Sequence, residues 1–166
     1  GQALSNNAPI TITTSNSSIG VFAKRSGDIT NTGDISATGK SVKAIISEGT
    51  KIDSTAKITV NGTALSDTDG SVGLASMNGG KITQTNASTS ITVGGSASIG
   101  LYADGKVDPE PPAAPLTTAT ATTLKVTGGT VTAKDGAFNT YAANSGTITL
   151  DGVTLNTEQK SLAFYT

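Results

Sequence analysis

The sequence predicts an all-β fold, a right-handed parallel β-helix of about five to six coils with three short strands per coil. Three observations carry that expectation. A degenerate hexapeptide returns along the chain, two further apolar elements lie between its copies, and the composition suits short strands joined by tight turns.

The chain has 166 residues, including 29 Thr and 20 Gly, with 4% aromatic and 14% charged residues. Thr, Val and Ile favour a pleated surface, while Gly, Asn and Asp favour turns. The hexapeptide Ser18-Ile19-Gly20-Val21-Phe22-Ala23 is echoed from Ser41, Ser71, Ser98, Ala137 and Ser161, at steps of 23, 30, 27, 39 and 24 residues. The second element is Gly27-Asp28-Ile29-Thr30, then Thr50-Lys51-Ile52-Asp53, Gly80-Lys81-Ile82-Thr83 and Gly146-Thr147-Ile148-Thr149, with a shortened Gly105-Lys106-Val107 in the fourth turn. The third is Ile10-Thr11-Ile12, Ile58-Thr59-Val60, Ile91-Thr92-Val93 and Val153-Thr154-Leu155, with Gly33-Asp34-Ile35-Ser36 as a shorter version.

Apolar residues two apart give each strand one inward and one outward face. A single repeat cannot bury its inward row, but coils stacked about 4.8 Å apart align the rows into ladders. Ile19, Val42, Val72, Ile99, Phe138 and Leu162 are expected to form one inward ladder, and Ile29, Ile52, Ile82 and Ile148 another. Repeats this short leave no room for a crossover helix.

Four of the five prolines, Pro109, Pro111, Pro112 and Pro115, fall within seven residues. Proline cannot supply ladder hydrogen bonds, so residues 108–123 are expected to be a loop extruded from the fourth coil. The strand pattern resumes at Leu124-Lys125-Val126. The whole of 1–166 then reads as one β-helix segment of a longer protein.

The repeat, with Gly-x-Ile-Thr elements and Asn/Gly turns, resembles the passenger domains of Gram-negative autotransporters (type V secretion). Ser98-Ile99-Gly100-Leu101-Tyr102-Ala103 is similar to the GIYA repeats of large fusobacterial adhesins of this class. The resemblance covers the chain apart from the Pro-rich loop. It implies a stalk on the bacterial cell surface, anchored through a C-terminal barrel outside this segment, with virulence-associated adhesion as its work. Host-cell or bacterial surface proteins or glycans are the implied partners. The resemblance carries over no catalytic motif.

The residues themselves point away from chemistry. Histidine and cysteine are absent, which removes Ser-His-Asp, Cys-His and the usual zinc arrangements. Asp28 and Asp34 sit at successive turns, Asp28 in register with Lys51 and Lys81, and read as a solvated charge ladder. Asp67-Thr68-Asp69-Gly70 opens like a calcium loop but lacks the distal ligands, so a tight turn is expected. Thr-x-Thr pairs such as Thr11/Thr13, Thr83/Thr85 and Thr130/Thr132 suggest an ice-binding row; spread over different elements, they read as ordinary strand threonines. No catalytic residue, cofactor or metal is assigned. A net charge of −1, with Arg25 the only arginine, gives no electrostatic case for nucleic acid.

Two features remain as candidate partner contacts. One is the Pro-rich loop, with Pro109, Glu110, Pro111 and Pro112, since loops on rigid scaffolds concentrate recognition. The other is an outward aromatic row of Phe22, Tyr102, Tyr141 and Tyr165, interrupted by Ile45 and Ala75. The expected activity is adhesion or spacing, without catalysis. The alternatives are a β-helix polysaccharide-degrading enzyme or a trimeric phage tailspike segment. A monomer with some end-to-end association through open coil ends is expected.

Overall fold

The computed structural model describes residues 3–14, 16–25, 27–105 and 121–166, and forms a parallel β-solenoid of six coils. Coil 1 holds β1 (Leu4–Asn6), β2 (Ile10–Thr14) and β3 (Ser18–Lys24), and coil 2 holds β4 (Ile29–Asn31), β5 (Ile35–Lys40) and β6 (Val42–Glu48). Coil 3 holds β7 (Lys51–Ser54), β8 (Ile58–Thr63) and β9 (Val72–Met77), and coil 4 holds β10 (Lys81–Thr85), β11 (Ser90–Gly94) and β12 (Ile99–Asp104). Coil 5 holds β13 (Thr123–Thr127), β14 (Thr130–Lys134) and β15 (Phe138–Ala143), and coil 6 holds β16 (Thr147–Asp151), β17 (Thr154–Thr157) and β18 (Leu162–Tyr165). Every strand pairs in parallel with the one three later. Sheet A therefore runs β1-β4-β7-β10-β13-β16, sheet B β2-β5-β8-β11-β14-β17, and sheet C β3-β6-β9-β12-β15-β18. No helix occurs among the described residues.

One continuous core fills the inside. Sheet A contributes the row Leu4–Ile29–Ile52–Ile82–Leu124–Ile148. Sheet B contributes Ile12–Ala37–Val60–Ile91–Val131–Leu155. Sheet C contributes Val21–Ile45–Leu74–Leu101–Thr140–Phe164. The middle members are fully buried, whereas Leu4 and Phe164, at the two ends, are 59% and 67% exposed because no neighbouring coil covers them.

Polar inner rows close the corners. Between sheets A and B runs Asn6–Asn31–Ser54–Gln84. Asn6 Nδ2 donates to Asn31 Oδ1 at 2.7 Å, Asn31 Nδ2 to the Gly33 carbonyl at 3.0 Å, and Gln84 Nε2 to the Ala56 carbonyl at 2.7 Å. These side chains satisfy turn carbonyls that the ladder cannot reach. Serine does the same between sheets B and C. Ser71 Oγ donates to the Thr63 carbonyl at 2.8 Å and accepts from the Val42 N–H at 3.1 Å. Ser98 Oγ donates to the Gly94 carbonyl at 2.7 Å and accepts from the Ser71 N–H at 3.0 Å. The serine that opens the repeat is thus a corner bond.

Sheet C departs from the expected faces. Its ladder skips the third position of the hexapeptide, or in coil 2 the fourth, Ala44, and the skipped residue and the next both face inward, so each strand bends there. Glycine fits because a Cβ on Gly73 would stand 2.6 Å from Ile91 Cγ2, and one on Gly100 would stand 2.4 Å from Val131 Cγ1. The bend reverses the row expected to be inward: Ile19, Val72, Ile99, Phe138 and Leu162 line the outer face. Val42 is not among them. It lies one residue out of that register, buried at the serine corner, and Lys43 takes the outer position. A slip of one residue exchanges the two faces.

The second element of the interrupted turn is β13, with Leu124 between Ile82 and Ile148. Gly105 is outside any strand, Lys106 and Val107 lie outside the described residues, and Thr123 already belongs to β13.

Leu74→Ala leaves a cavity in the middle of the core and should destabilise the protein by about 2–5 kcal/mol. Thr132→Ala, on the outer face of sheet B, should cost about 0.5 kcal/mol or less. Urea unfolding midpoints compare the two, and equal losses would contradict the assignment of faces.

Candidate functional site: the outer face of sheet C

The three outer faces differ in chemistry. Sheet B carries the rows Thr11–Ser36–Thr59–Ser90–Thr130–Thr154 and Thr13–Thr38–Asn61–Thr92–Thr132–Asn156, all polar and uncharged. The Thr-x-Thr pairs expected on different elements therefore gather in part on one sheet, with Ser and Asn breaking their regularity; Thr83/Thr85 and Thr147/Thr149 lie on sheet A. A surface trough of about 240 Å³ beside Thr11, Ser36 and Thr59 also touches Asp34 and Lys57.

Sheet A carries charge. Asp28, Lys51 and Lys81 are in register, as the repeat implies, but two lysines stand side by side rather than alternating with acids. Lys51 pairs with Asp53 of its own strand, whose hydrogen bond and charge hold the ammonium above its ordinary range. Asp28 and Asp34 each accept a backbone N–H from the next coil, from Lys51 at 3.3 Å and Lys57 at 3.0 Å. They act as ties between coils.

Sheet C is apolar. Its first outer row is Ile19–Lys43–Val72–Ile99–Phe138–Leu162 and its second is Phe22–Ile46–Ala75–Tyr102–Tyr141–Tyr165. Five of the chain's six aromatic residues stand in these two rows. The sixth, Phe164, faces inward in the end coil. Ring centroids lie 5.5 Å apart for Tyr102–Tyr141, 4.8 Å for Tyr141–Tyr165 and 5.3 Å for Phe138–Tyr165. The tilted and edge-on geometries are those that aromatic quadrupoles prefer.

Of the expected contacts, Tyr102 and Tyr141 are brought together, while Phe22 stands apart at coil 1, 47% exposed. The residues between are Ile46 and Ala75; Ile45, read as an interruption, is a core residue. Ile46 and Ala75 are 7% and 3% exposed, so the row is buried between Phe22 and the tyrosines. Pro109, Glu110, Pro111 and Pro112 lie outside the described residues. Phe138 joins the aromatic group although its sequence position was read as inward. The skipped glycine position, which changes the alternation, is the signal that could have found it.

A polar edge adjoins the rings. Tyr102 Oη donates to Asp104 Oδ2 at 2.8 Å, and Asn144 Nδ2 donates to Asp104 Oδ1 at 2.8 Å. Burial, with the Asp104 bond and charge adding, pushes the Tyr102 phenol above its usual range.

The loop at Asp67-Thr68-Asp69-Gly70 is a tight turn, with the Leu65 N–H donating to the Asp69 carbonyl at 2.8 Å. The Asp69 carboxylate receives hydrogen bonds from Ser41, from Ser17 at 3.2 Å and from Lys43 Nζ at 3.4 Å, which joins coils 1, 2 and 3. Among the described residues, no three carboxylates are grouped so as to hold a metal ion.

Comparison with protein families, with curated proteins and with solved structures finds no match to this chain.

The Ser41 hydrogen bond, with Lys43 and Ser17 adding, holds the Asp69 carboxyl below the ordinary carboxylate range. A depressed folded-state pKa contributes stability above the unfolded value of about 3.9, lost as pH falls through the folded value. Asp69→Asn should therefore be less stable than the wild type at neutral pH. The difference should shrink in acid, read from melting temperatures across the pH range. A difference that grows on acidification would contradict the tie.

Proposed function

We propose that this chain is a surface-displayed β-helix segment of an autotransporter adhesin, mediating or spacing attachment to host cells or other bacteria. The observation that carries the reading is the outer face of sheet C. Solvent-facing aromatic and aliphatic side chains gather there, while the other two faces are polar. The coil-stacking core does not require apolar residues on its outside, and contiguous exposed apolar surface commonly marks recognition. Tyrosines with a rigid apolar body and a polar tip suit contact with protein or glycan surfaces.

The repeat's resemblance to autotransporter passengers supplies the rest: display outside the cell and anchorage through a barrel in another part of the parent protein. A β-helix suits such a stalk because each coil contacts only its neighbours, so length can be added without redesigning the core.

The test is binding of the chain to host cells and to partner bacteria, beside a Tyr141→Ser variant and one with Pro109, Pro111 and Pro112 changed to serine. Saturable binding weakened about tenfold or more by Tyr141→Ser is the expected result, a loss of at least about 1.4 kcal/mol. Loss only in the proline variant would move the contact to the Pro-rich segment. No saturable binding to any cell would leave the adhesive reading without support.

A further inference from the structure

We propose that the outer face of sheet B adsorbs to ice, a function beyond cell attachment and carried by a different face. Thr-x-Thr pairs read as ordinary strand chemistry while they are spread over different elements, but the fold stacks one outward pair from every coil on this sheet. The stack runs from Thr11/Thr13 in coil 1 to Thr154/Asn156 in coil 6, with no skipped position of the kind that bends sheet C. Eight of the twelve positions are threonine; Ser36 and Ser90 keep the hydroxyl, and Asn61 and Asn156 keep a group that donates and accepts.

The grid is regular and anchored. Coils repeat about 4.8 Å apart, and residues two apart along a strand are separated by about 6.6 Å. Oxygen atoms on the prism face of ice repeat along two perpendicular directions at comparable intervals, so rows of hydroxyls can stand in for one layer of the lattice. The residue between the members of each pair points into the core, where Ala37, Val60, Ile91 and Val131 are at most 1% exposed. Threonine's branched β-carbon restricts its rotamer, which holds hydroxyl and methyl in place.

The side chains are also free to take water as their partner. Among the described residues, none of the twelve forms a side-chain hydrogen bond or ion pair within the protein, whereas the corner residues Ser71, Ser98 and Asn31 all do. Fixing liquid water over such a surface costs immobilisation entropy, and water already frozen carries no such cost, so the face favours ice over the liquid. The two rows carry no charge; Asp34 and Lys57 border them on one side, and Lys40 and Lys134 on the other. Sheet A breaks its threonine row with Asp53 and Lys125, and sheet C presents aromatic rings.

Ice grown slowly on a cold surface from a solution of the intact chain should take the chain up, while serum albumin in the same solution is excluded. Thr92→Lys and, independently, Thr132→Lys place a charge in the middle of the grid and should abolish uptake. Circular dichroism and melting temperature should show that the coils of both variants remain. Thr83→Lys, on the outer face of sheet A, should be taken up like the wild type. Exclusion of the intact chain from ice overturns the inference, and so does uptake indifferent to both sheet B lysines or lost equally in Thr83→Lys. Retention on crystalline cellulose by a chain that ice excludes would assign the grid to a crystalline glycan and also overturn it. Because sheet C is untouched, cell binding by the Thr92→Lys chain should persist, which keeps the adhesive reading separable from this one.

Discussion

In-register parallel stacking of the coils is the constraint on which the rest of the structure depends. Each strand finds its hydrogen-bonding partner three elements away in both directions, so one coil has no stable existence alone. Stacking fixes the inner rows at about 4.8 Å intervals, and only side chains that tile at that spacing are tolerated inside. Ile52, Ile82 and Leu124 meet the requirement in sheet A, as Ile45, Leu74 and Leu101 do in sheet C. The polar residues admitted to the interior stand at corners. There the chain leaves one sheet for the next, and Asn31, Gln84, Ser71 and Ser98 give its carbonyls and amides partners. Glycine enters where two sheets approach too closely for a Cβ, at Gly73 and Gly100.

The outer faces are free of that constraint, which makes their differences informative. Sheet B is mainly hydroxyl and amide, with Lys40 and Lys134 at the ends of its strands, and sheet A mixes threonine with paired charge. Sheet C concentrates the aromatic residues. Coil stacking needs only solubility on its outside, and two faces supply it. The third exposes Ile19 and Phe22 in coil 1 and Leu162 and Tyr165 in coil 6, each nearly half exposed where a neighbouring coil stands on one side only.

Fold and coil count were legible in the sequence because both rest on period. The recurring hexapeptide, the interposed Gly-x-Ile elements and the turn residues give three strands per coil, and the strands follow them closely. The faces of sheet C were less legible. Alternation alone makes Ile19 and Val21 equivalent, and only the bend at the glycine position breaks that symmetry. Coil 2 hid its register for a related reason. Ser41-Val42 mimics Ser18-Ile19, but Ser71 Oγ holds the Val42 N–H and pins Val42 at the corner, so Lys43 becomes the outward residue. The tyrosine pair was visible because its spacing follows the repeat. Phe138 was assigned to the wrong face, and the Asp69 tie to Ser17 and Ser41 spans more than twenty residues with no local signal.

The central claim is that the hexapeptide, in every coil but the second, turns its second and fifth residues outward and its fourth inward. Thiol labelling tests it most directly, because every signal in this cysteine-free chain comes from the introduced site. I99C and L101C are two residues apart on the same strand of coil 4. The account predicts rapid modification of I99C under native conditions and protection of L101C until the chain unfolds. Rapid modification of L101C with protection of I99C would reverse the faces of sheet C and contradict the account.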